Sequence, residues 1–382
     1  MLYCAPKVRV CKDFFLFLKN NIDLDIAILL ALGSCFIDGI DPLSTVAGLN
    51  YEILLLLACL MTVISGFRKE GFLTLIFEKT MNFVHNSRAL SRIFVFICFF
   101  LSMLITNDVA LIIFVPLAIG SLMKVQRCDL VVKVVSLQTI AANMGSMLTP
   151  IGNPQNLYIF MHYNYRLSDF MQVTFPIFAL CFVILYVMTA LIKADPVYTH
   201  KDDTIKLNKW RMSLLGIGFI LSVLCVLRIL DVYIVSIMVL ALILITDIKL
   251  LKNIDVKLLS LFFFLFIFAG NVASAQAVAS LAHEFVHGYE FFVSLTLSQI
   301  ISNVPATVLL ADFVKDPDML LLGVSVGGLG TIIASMASLI SFKYYMRMDG
   351  KRPLYYLRKF TKYNLEFLII IIPVFLVFNA FI

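Results

Sequence analysis

Long apolar runs follow one another along almost the whole chain and leave room for few other fold classes. Charged residues make up 14% of the 382 residues, against about 25% in a soluble globular domain. Nine runs are long enough to cross a bilayer when their ends reach into the interface. They lie near residues 24–40, 51–67, 129–162, 170–192, 212–230, 232–248, 258–273, 319–342 and 363–382. The sequence therefore predicts an all-α polytopic membrane protein with about nine transmembrane helices.

Two further apolar regions are interrupted at their centres by polar residues. Residues 91–123 are divided by Thr106, Asn107 and Asp108, and residues 291–314 are divided by Ser302 and Asn303. Each apolar half is shorter than the ~20 residues that a transmembrane helix needs. Each region is therefore either a re-entrant hairpin or one interrupted crossing.

Loop charge separates these two interpretations. With two hairpins, 27 of the 30 Lys and Arg residues lie on one side of the membrane, and Arg166, Arg228 and Lys315 lie on the other. With two full crossings the split falls to 18 against 12. The positive-inside rule favours the hairpins. We therefore expect a multi-pass plasma-membrane protein with a cytoplasmic amino terminus and an extracellular carboxyl terminus.

The order of elements is repeated along the chain, and the two hairpins enter from opposite faces. We predict a cytoplasmic amphipathic N-terminus (1–23), a linker with a bridging span (194–231) and two repeats around it. The repeats are residues 24–193, with hairpin 91–123 and broken span 129–162, and residues 232–382, with hairpin 291–314 and broken span 319–342. Inverted repeats with paired broken helices are typical of secondary transporters.

The motif "TPIGNPQN" at residues 149–156 predicts that the helix of its span is broken. Pro150 and Pro154 each remove a backbone donor, and Gly152 adds no stiffness. Irregular backbone at membrane depth is tolerated where protein buries it or where it lines a wet cavity. The break therefore indicates a functional site.

Polar and glycine residues at the tips and breaks are the candidate ligands for a substrate or coupling ion. Unwound carbonyls and side-chain oxygens can bind a cation, and helix amino termini can face an anion. The alternative is that these residues only hydrogen-bond neighbouring helices. The candidates are Thr106, Asn107, Asp108, Thr149, Pro150, Gly152, Asn153, Asn156, Ser302, Asn303, Gly328, Gly330 and Thr331.

Asp108 is an acid within the apolar region. It could bind a cation, carry a proton or cap the second helix of its hairpin. Its counterpart at the second tip is Val304, so the two tips are not chemically equivalent.

Other functional classes have weaker support. The motif "HEFVH" at 283–287 fits a zinc-protease pattern, but the charge count separates His283 from Asp349, the distant acid that would complete a metal site. The eight cysteines are scattered singly, without a CxxC motif. The basic residues lie in short loops, which indicates membrane orientation rather than a nucleic-acid surface, and the chain has no GxxxxGK[ST] motif for ATP. The N-terminus shows no cleavage-site pattern of a signal peptide. We expect no enzyme activity, structural metal or cofactor.

Four motifs together resemble the ion transporter superfamily of divalent-anion/sodium symporters, citrate carriers, arsenite permeases and some sodium/proton antiporters. They are "ITNDVALIIFVPLA", "NMGSMLTPIGNPQNLY", "SQIISNVPATVLLADF" and "GGLGTIIASMAS". The pattern is most similar to citrate-transporter-like bacterial permeases. The resemblance implies inverted repeats, tips that enclose substrate and coupling ion, an elevator-like movement and a homodimer.

The function expected from residues and resemblance together is ion-coupled secondary transport of a small inorganic or organic anion, with sodium or a proton as the coupling ion. Asp108 at the first tip would repel a carboxylate unless a cation or proton intervened. The alternatives are a cation/proton antiporter or an arsenite permease and, in another class, an intramembrane metalloprotease.

Overall fold

The computed structural model of the protein describes residues 22–36, 46, 49–81, 84–197, 207–275 and 284–381. Within these ranges the regular elements are helices, apart from an isolated bridge between Asn86 and Pro196. The predicted all-α class is therefore confirmed. The predicted N-terminal segment 1–23 lies outside the described residues except for its last two positions, and so does His283.

The helices of the first half begin and end as follows: α1 (Ile22–Ser34), α2 (Tyr51–Lys69), α3 (Phe72–Met81), α4 (Ser87–Ile105), α5 (Asn107–Lys124), α6 (Val131–Ser146), α7 (Pro154–His162) and α8 (Leu167–Ala190). The helices of the second half follow: α9 (Lys209–Val226), α10 (Val232–Asp247), α11 (Val256–Ser274), α12 (Glu290–Ile301), α13 (Asn303–Ala311), α14 (Pro317–Gly327), α15 (Met336–Tyr345) and α16 (Pro353–Phe381). Short 3₁₀ turns cover Cys128–Leu130, Pro150–Gly152 and Ile248–Asn253.

Eight helices of the described chain are long and apolar enough to cross a membrane, namely α2, α4, α5, α8, α9, α10 with its 3₁₀ extension, α11 and α16. This set differs from the nine predicted runs. The runs 129–162 and 319–342 are pairs of short helices, because each is broken near its middle. The prediction of a broken helix at residues 149–156 is confirmed.

The first hairpin, α4 and α5, has longer helices than the apolar pattern predicts. They contain 19 and 18 residues, whereas those of the second hairpin, α12 and α13, contain 12 and 9. Asn86 caps α4 at the N–H of Ala89, at 2.9 Å, well before the apolar run begins. The hydroxyl of Ser87 donates to Lys193 O at 2.7 Å, which holds this polar first turn against the segment after α8.

The helices pack into two groups. The hairpin bundle contains α4–α8 and α12–α16, and the companion bundle contains α1, α2 and α9–α11. The groups meet mainly where α11 packs on α13 and where α2 packs on α7. Helix α3 contacts both α2 and α4, and so joins one group to the other.

Corresponding helices of the two halves make corresponding contacts. In each half the first hairpin helix packs on the first piece of the broken span, as α4 does on α6 and α12 on α14. The second piece packs on the hairpin of the other half, as α7 does on α13 and α15 on α5. In the companion bundle α1 packs on α11 while α2 packs on α10. The duplicated element order is thus matched by duplicated packing.

The ion pairs of the described chain join residues that the charge count places on one side. Lys69 pairs with Asp247, Glu70 with Arg211, and Arg127 with Asp195, all among segments predicted to be cytoplasmic. His162 lies 3.5 Å from Asp312, between segments predicted to be extracellular. These pairs are compatible with the predicted sides, and the topology and orientation of the chain stay predictions.

Candidate functional site

The first break, residues 147–153, is held open by side chains of its own span. Asn156 Nδ2 donates to the carbonyls of Ser146, Met147 and Thr149 at 3.1–3.3 Å, which satisfies the end of α6. Asn153 caps α7 by accepting from the N–H of Asn156 at 2.9 Å. A Cβ atom on Gly152 would lie 2.1 Å from Ser146 O. Close approach of two backbone segments therefore requires glycine at position 152.

The second break, residues 328–335, is satisfied by the neighbouring hairpin instead. Gln299 of α12 donates from Nε2 to the carbonyls of Gly327 and Leu329, both at 2.8 Å, and its Oε1 accepts from the N–H of Thr331 at 2.9 Å. Gly330 has a φ of 113°, a backbone conformation that residues other than glycine rarely adopt. Gln299 thus satisfies backbone carbonyls at the end of α14, as Asn156 does at the end of α6.

Both hairpin tips have the same unusual backbone conformation. Thr106 joins α4 to α5 with a φ of 71°, and Ser302 joins α12 to α13 with a φ of 76°. Such values cost a residue other than glycine about 1–3 kcal/mol and persist where surrounding packing imposes them. The tips are therefore equivalent in backbone although they differ in sequence.

Each break is bonded to the hairpin of its own half in the same way. The hydroxyl of Thr149 donates to Met103 O at 2.5 Å, and that of Thr331 donates to Gln299 O at 3.1 Å. Both carbonyls lie three residues before their tip. Gly145 and Gly327 allow the same close packing, because a Cβ on either would lie 2.7 Å from a serine Oγ four residues before the tip. The duplicated packing thus extends to individual hydrogen bonds.

Asn143 connects the first hairpin to the second break. Its Oδ1 accepts from Asn107 Nδ2 at 3.0 Å and from Ser335 Oγ at 3.1 Å, and its Nδ2 donates to Gly328 O at 3.1 Å. Asn303 lies on the other side of the same break, and its N–H donates to Ala334 O at 3.0 Å. Asn107, Asn143 and Asn303 are each at most 5% exposed. The two halves therefore meet in a buried polar network.

A cavity of about 290 Å³ lies between the two bundles and reaches the first tip. Thr106, Asp108 and Asn153 line it from the hairpin bundle. Arg68 and Asp255, both exposed, line it from the companion bundle and belong to segments predicted to be cytoplasmic. The cavity therefore connects one charged end of the molecule with the first tip and the first break.

Asp108 is the acid at the inner part of this cavity. Its N–H donates to Asn107 Oδ1 at 2.8 Å, and its buried Oδ1 has no hydrogen-bond partner in the described part of the chain. Helix α5 has no hydrogen bond from a capping side chain. The predicted capping role is therefore not seen as a hydrogen bond, although the acid still lies in the positive first turn of α5.

The predicted site residues fall into three groups. Thr106, Asp108 and Asn153 line the cavity directly. Behind them are the residues that shape the first tip and break, which are Asn107, Thr149, Pro150, Gly152 and Asn156. The remaining residues surround the second tip and break, which are Ser302, Asn303, Gly328, Gly330 and Thr331. The structure thus brings the two breaks together through Asn143 and opens a cavity at the first tip.

Sequence reasoning missed Asn143 and Gln299 as parts of the site. Each is a polar side chain in an apolar segment, one ten residues before Asn153 and the other three residues before Ser302. That position is the signal that could have identified them. Their partners lie on other helices, so their roles depend on packing that the pattern does not contain.

The "HEFVH" segment forms no metal site in the described chain. Apart from His283, which is not described, no group of three or more His, Cys, Asp or Glu side chains lies close enough together to hold an ion. His287 lies 3.7 Å from Glu290 at the amino end of α12. It lines a different pocket from Asp349.

Paired hairpins, broken helices and a cavity between two helix bundles are typical of polytopic membrane transporters. A model of the citrate transporter family matches residues 14–336, which is most of the chain. The chain belongs to this family, and the resemblance predicted from the motifs is confirmed.

Two relatives match along almost their whole length. The uncharacterized transporter MJ0456 of Methanocaldococcus jannaschii is 32% identical over 336 residues, which cover 87% of this chain and 89% of the relative. The inner membrane protein YbiR of Escherichia coli is 27% identical over 359 residues, which cover 92% of this chain and 94% of the relative.

Proposed function

We propose that the protein is an ion-coupled secondary transporter that moves a small anion or oxyanion across the plasma membrane. The observation that carries this proposal is the cavity between the bundles, because it brings Thr106, Asp108 and Asn153 to one accessible space. Membership of a transporter family supports the same function.

The chemistry of the cavity suits an anion together with a cation or proton. Helix α5 begins directly after Thr106 and α7 directly after Asn153, so two positive helix ends lie at the cavity, with Arg68 at its wall. Asp108 and Asp255 add negative charge to the same space. A sodium ion or proton that neutralises Asp108 would remove its repulsion of a bound anion. Coupling of the two fluxes follows from this arrangement.

An elevator-like movement of the hairpin bundle along the companion bundle would expose the cavity on alternate sides. The position of the cavity between the bundles supports this movement. The duplicated contacts support two inverted repeats, which would give the outward-facing arrangement from the same packing. The two repeats, the homodimer and the orientation of the termini are parts of this proposal.

A cation/proton antiporter that exchanges sodium for protons is the second candidate. The observation that favours it is the presence of two carboxylates, Asp108 and Asp255, at one cavity, with the buried Oδ1 of Asp108 unpartnered among the described residues. Acids within a membrane are sites for cations or protons by default.

Flux measurements in proteoliposomes separate these functions. Purified protein is tested with radiolabelled citrate, succinate, phosphate, sulfate and arsenite, each with and without a sodium gradient and a pH gradient. We expect uptake of at least one anion that depends on one of the gradients. Exchange of sodium for protons without any anion flux would favour the second candidate. Absence of all these fluxes in folded protein would refute both.

A further inference from the structure

The turn between α15 and α16 carries an exposed basic surface that the transport site does not use. It consists of Arg347, Lys351 and Arg352 of the turn, Lys343 near the end of α15 and Arg358 near the start of α16, and all five side chains are exposed. None of the five is ion-paired with another described residue. Lys351 Nζ donates to Met346 O at 2.9 Å, which leaves its charge, like that of the other four, without an acidic partner among the described residues.

A pocket of about 390 Å³ lies beside this basic surface, between the turn and residues 123–132. Lys351, Arg352 and Tyr355 line it, together with two acids. Asp129, one of the acids, accepts two hydrogen bonds of 2.9 Å from Arg127, whose guanidinium holds the pKa of Asp129 below its usual range. The other, Asp349, is exposed. Because Arg127 is paired with Asp129, Asp349 is the acid that opposes Lys351 and Arg352 among the charged residues that line the pocket.

Helix α16 begins at this pocket and is longer than a membrane core requires. Its 29 residues extend for about 43 Å, against about 30 Å of hydrocarbon. Pro353 occupies its first position, and the N–H groups of Leu354 and Tyr355 in the first turn have no partner within the helix, whereas the N–H of Tyr356 donates to Arg352 O. The amino terminus of α16 and the cations Lys351 and Arg352 therefore both favour binding of a phosphate group at the start of this helix.

Apolar and aromatic side chains surround the cations at the start of α16. Leu354 is 82% and Tyr355 47% exposed. Lys359 lies over the Tyr355 ring at 5.8 Å, and Arg347 over the Tyr344 ring at 5.0 Å. Tyrosine with lysine or arginine is typical of the membrane interface, where aromatic rings lie at headgroup level.

We infer that the basic surface is a binding site for the headgroups of anionic phospholipids, with a phosphate at the start of α16 beside Lys351 and Arg352. The exposed Leu354 and Tyr355 favour a lipid over a soluble phosphate, because they offer contact to acyl chains. This site is independent of the transported substrate.

Titration of the purified full chain with phosphatidylglycerol, followed by native mass spectrometry, tests the inference. The test variant is Lys351→Gln with Arg352→Gln. The matched control is Lys249→Gln with Lys252→Gln, which removes two exposed cations from another segment predicted to be cytoplasmic. We expect roughly fivefold weaker binding for each cation lost from the site, or about 25-fold for the pair, and little change in the control.

Two further measurements complete the test. Phosphatidylcholine should bind wild type and both variants equally, and inorganic phosphate at millimolar concentration should not displace phosphatidylglycerol. Equal losses in the two variants would show a general effect of charge and overturn the inference. Displacement by inorganic phosphate would indicate a soluble anion and would also overturn it. Melting temperatures without lipid verify that both variants fold.

Discussion

Asn143 forms hydrogen bonds to residues of both halves at once, through Asn107, Gly328 and Ser335. Its replacement by Ala would leave several buried polar groups unpaired, at a cost of about 1–3 kcal/mol for an unsatisfied group. We expect Asn143→Ala to lower the melting temperature in detergent and to reduce transport. Ser222→Ala is the control, because that buried hydroxyl bonds Gly218 of its own helix. Equal melting temperatures of the two variants would contradict the linking role of Asn143.

Asp108 and Asp255 can be compared by the same isosteric change. Asp108→Asn removes the charge at the inner part of the cavity, whereas Asp255→Asn removes it at an exposed position and still allows capping of α11, where Asp255 accepts from Leu258 N at 3.0 Å. Placing an unpaired carboxylate at membrane depth costs at least ~2.5 kcal/mol by insertion scales. The charge of Asp108 therefore needs a bound cation, or a proton that neutralises it. We expect Asp108→Asn to change the sodium and pH dependence of uptake more than Asp255→Asn. Unchanged dependence in Asp108→Asn would leave this acid without a role in coupling.

The sequence predicted which polar residues surround the breaks but not what each one binds. Asn156 and Thr149 were predicted as possible ligands, and in the structure they satisfy backbone carbonyls of the break and of α4. In the other half, Gln299 of the hairpin helix α12 donates to the carbonyl of Gly327 at the second break. These assignments depend on which helices pack together, and hydropathy does not contain that information.

Among the elements, the first break depends on close approach of two backbone segments. Gly152→Ala would place a Cβ 2.1 Å from Ser146 O, a backbone atom that cannot move alone. Overpacking of this kind costs about 1–3 kcal/mol. Gly120→Ala is the control, because a Cβ there meets nothing within 4 Å. We expect a lower melting temperature and reduced uptake for Gly152→Ala and a stability change within about 1 kcal/mol for Gly120→Ala. Similar melting temperatures would show that the break adjusts freely.

The breaks and tips were predictable as elements, whereas helix lengths were not. Proline and glycine at the first break and polar tip residues interrupt the apolar pattern visibly. The polar first turn of α4 does not appear in that pattern, because Asn86 and the contact of Ser87 with Lys193 stabilise it. Capping and tertiary contacts thus extended a helix beyond its apolar run.

For the whole molecule, the duplicated order of elements in the sequence predicted the duplicated packing. The sequence did not predict the cavity. The cavity forms where α2 and α11 of the companion bundle face α5 and α7 of the hairpin bundle. These helices are far apart in the chain, so their meeting follows from the packing of the two bundles.

Membrane orientation can be tested with single cysteines in a background that lacks the native ones. We expect cysteines at Arg166 and Lys315 to react with an impermeant thiol reagent from outside intact cells, and cysteines at Lys124 and Lys351 to react after the cells are opened. The reason is the 27:3 division of Lys and Arg. Labelling of positions 124 and 315 from the same face would contradict the two re-entrant hairpins.

We propose that the two tips and breaks form the transport site. Counterflow of the anion identified in proteoliposomes tests this proposal, because exchange needs the site but no driving gradient. Asn107→Ala and Asn303→Ala are compared with wild type and with Ser222→Ala, and rates are normalised to folded protein. We expect both asparagine variants to lose most of their exchange, because each removes a buried polar group at a tip. Near-normal exchange in both would show that the tips only hold the helices together and that the substrate binds elsewhere.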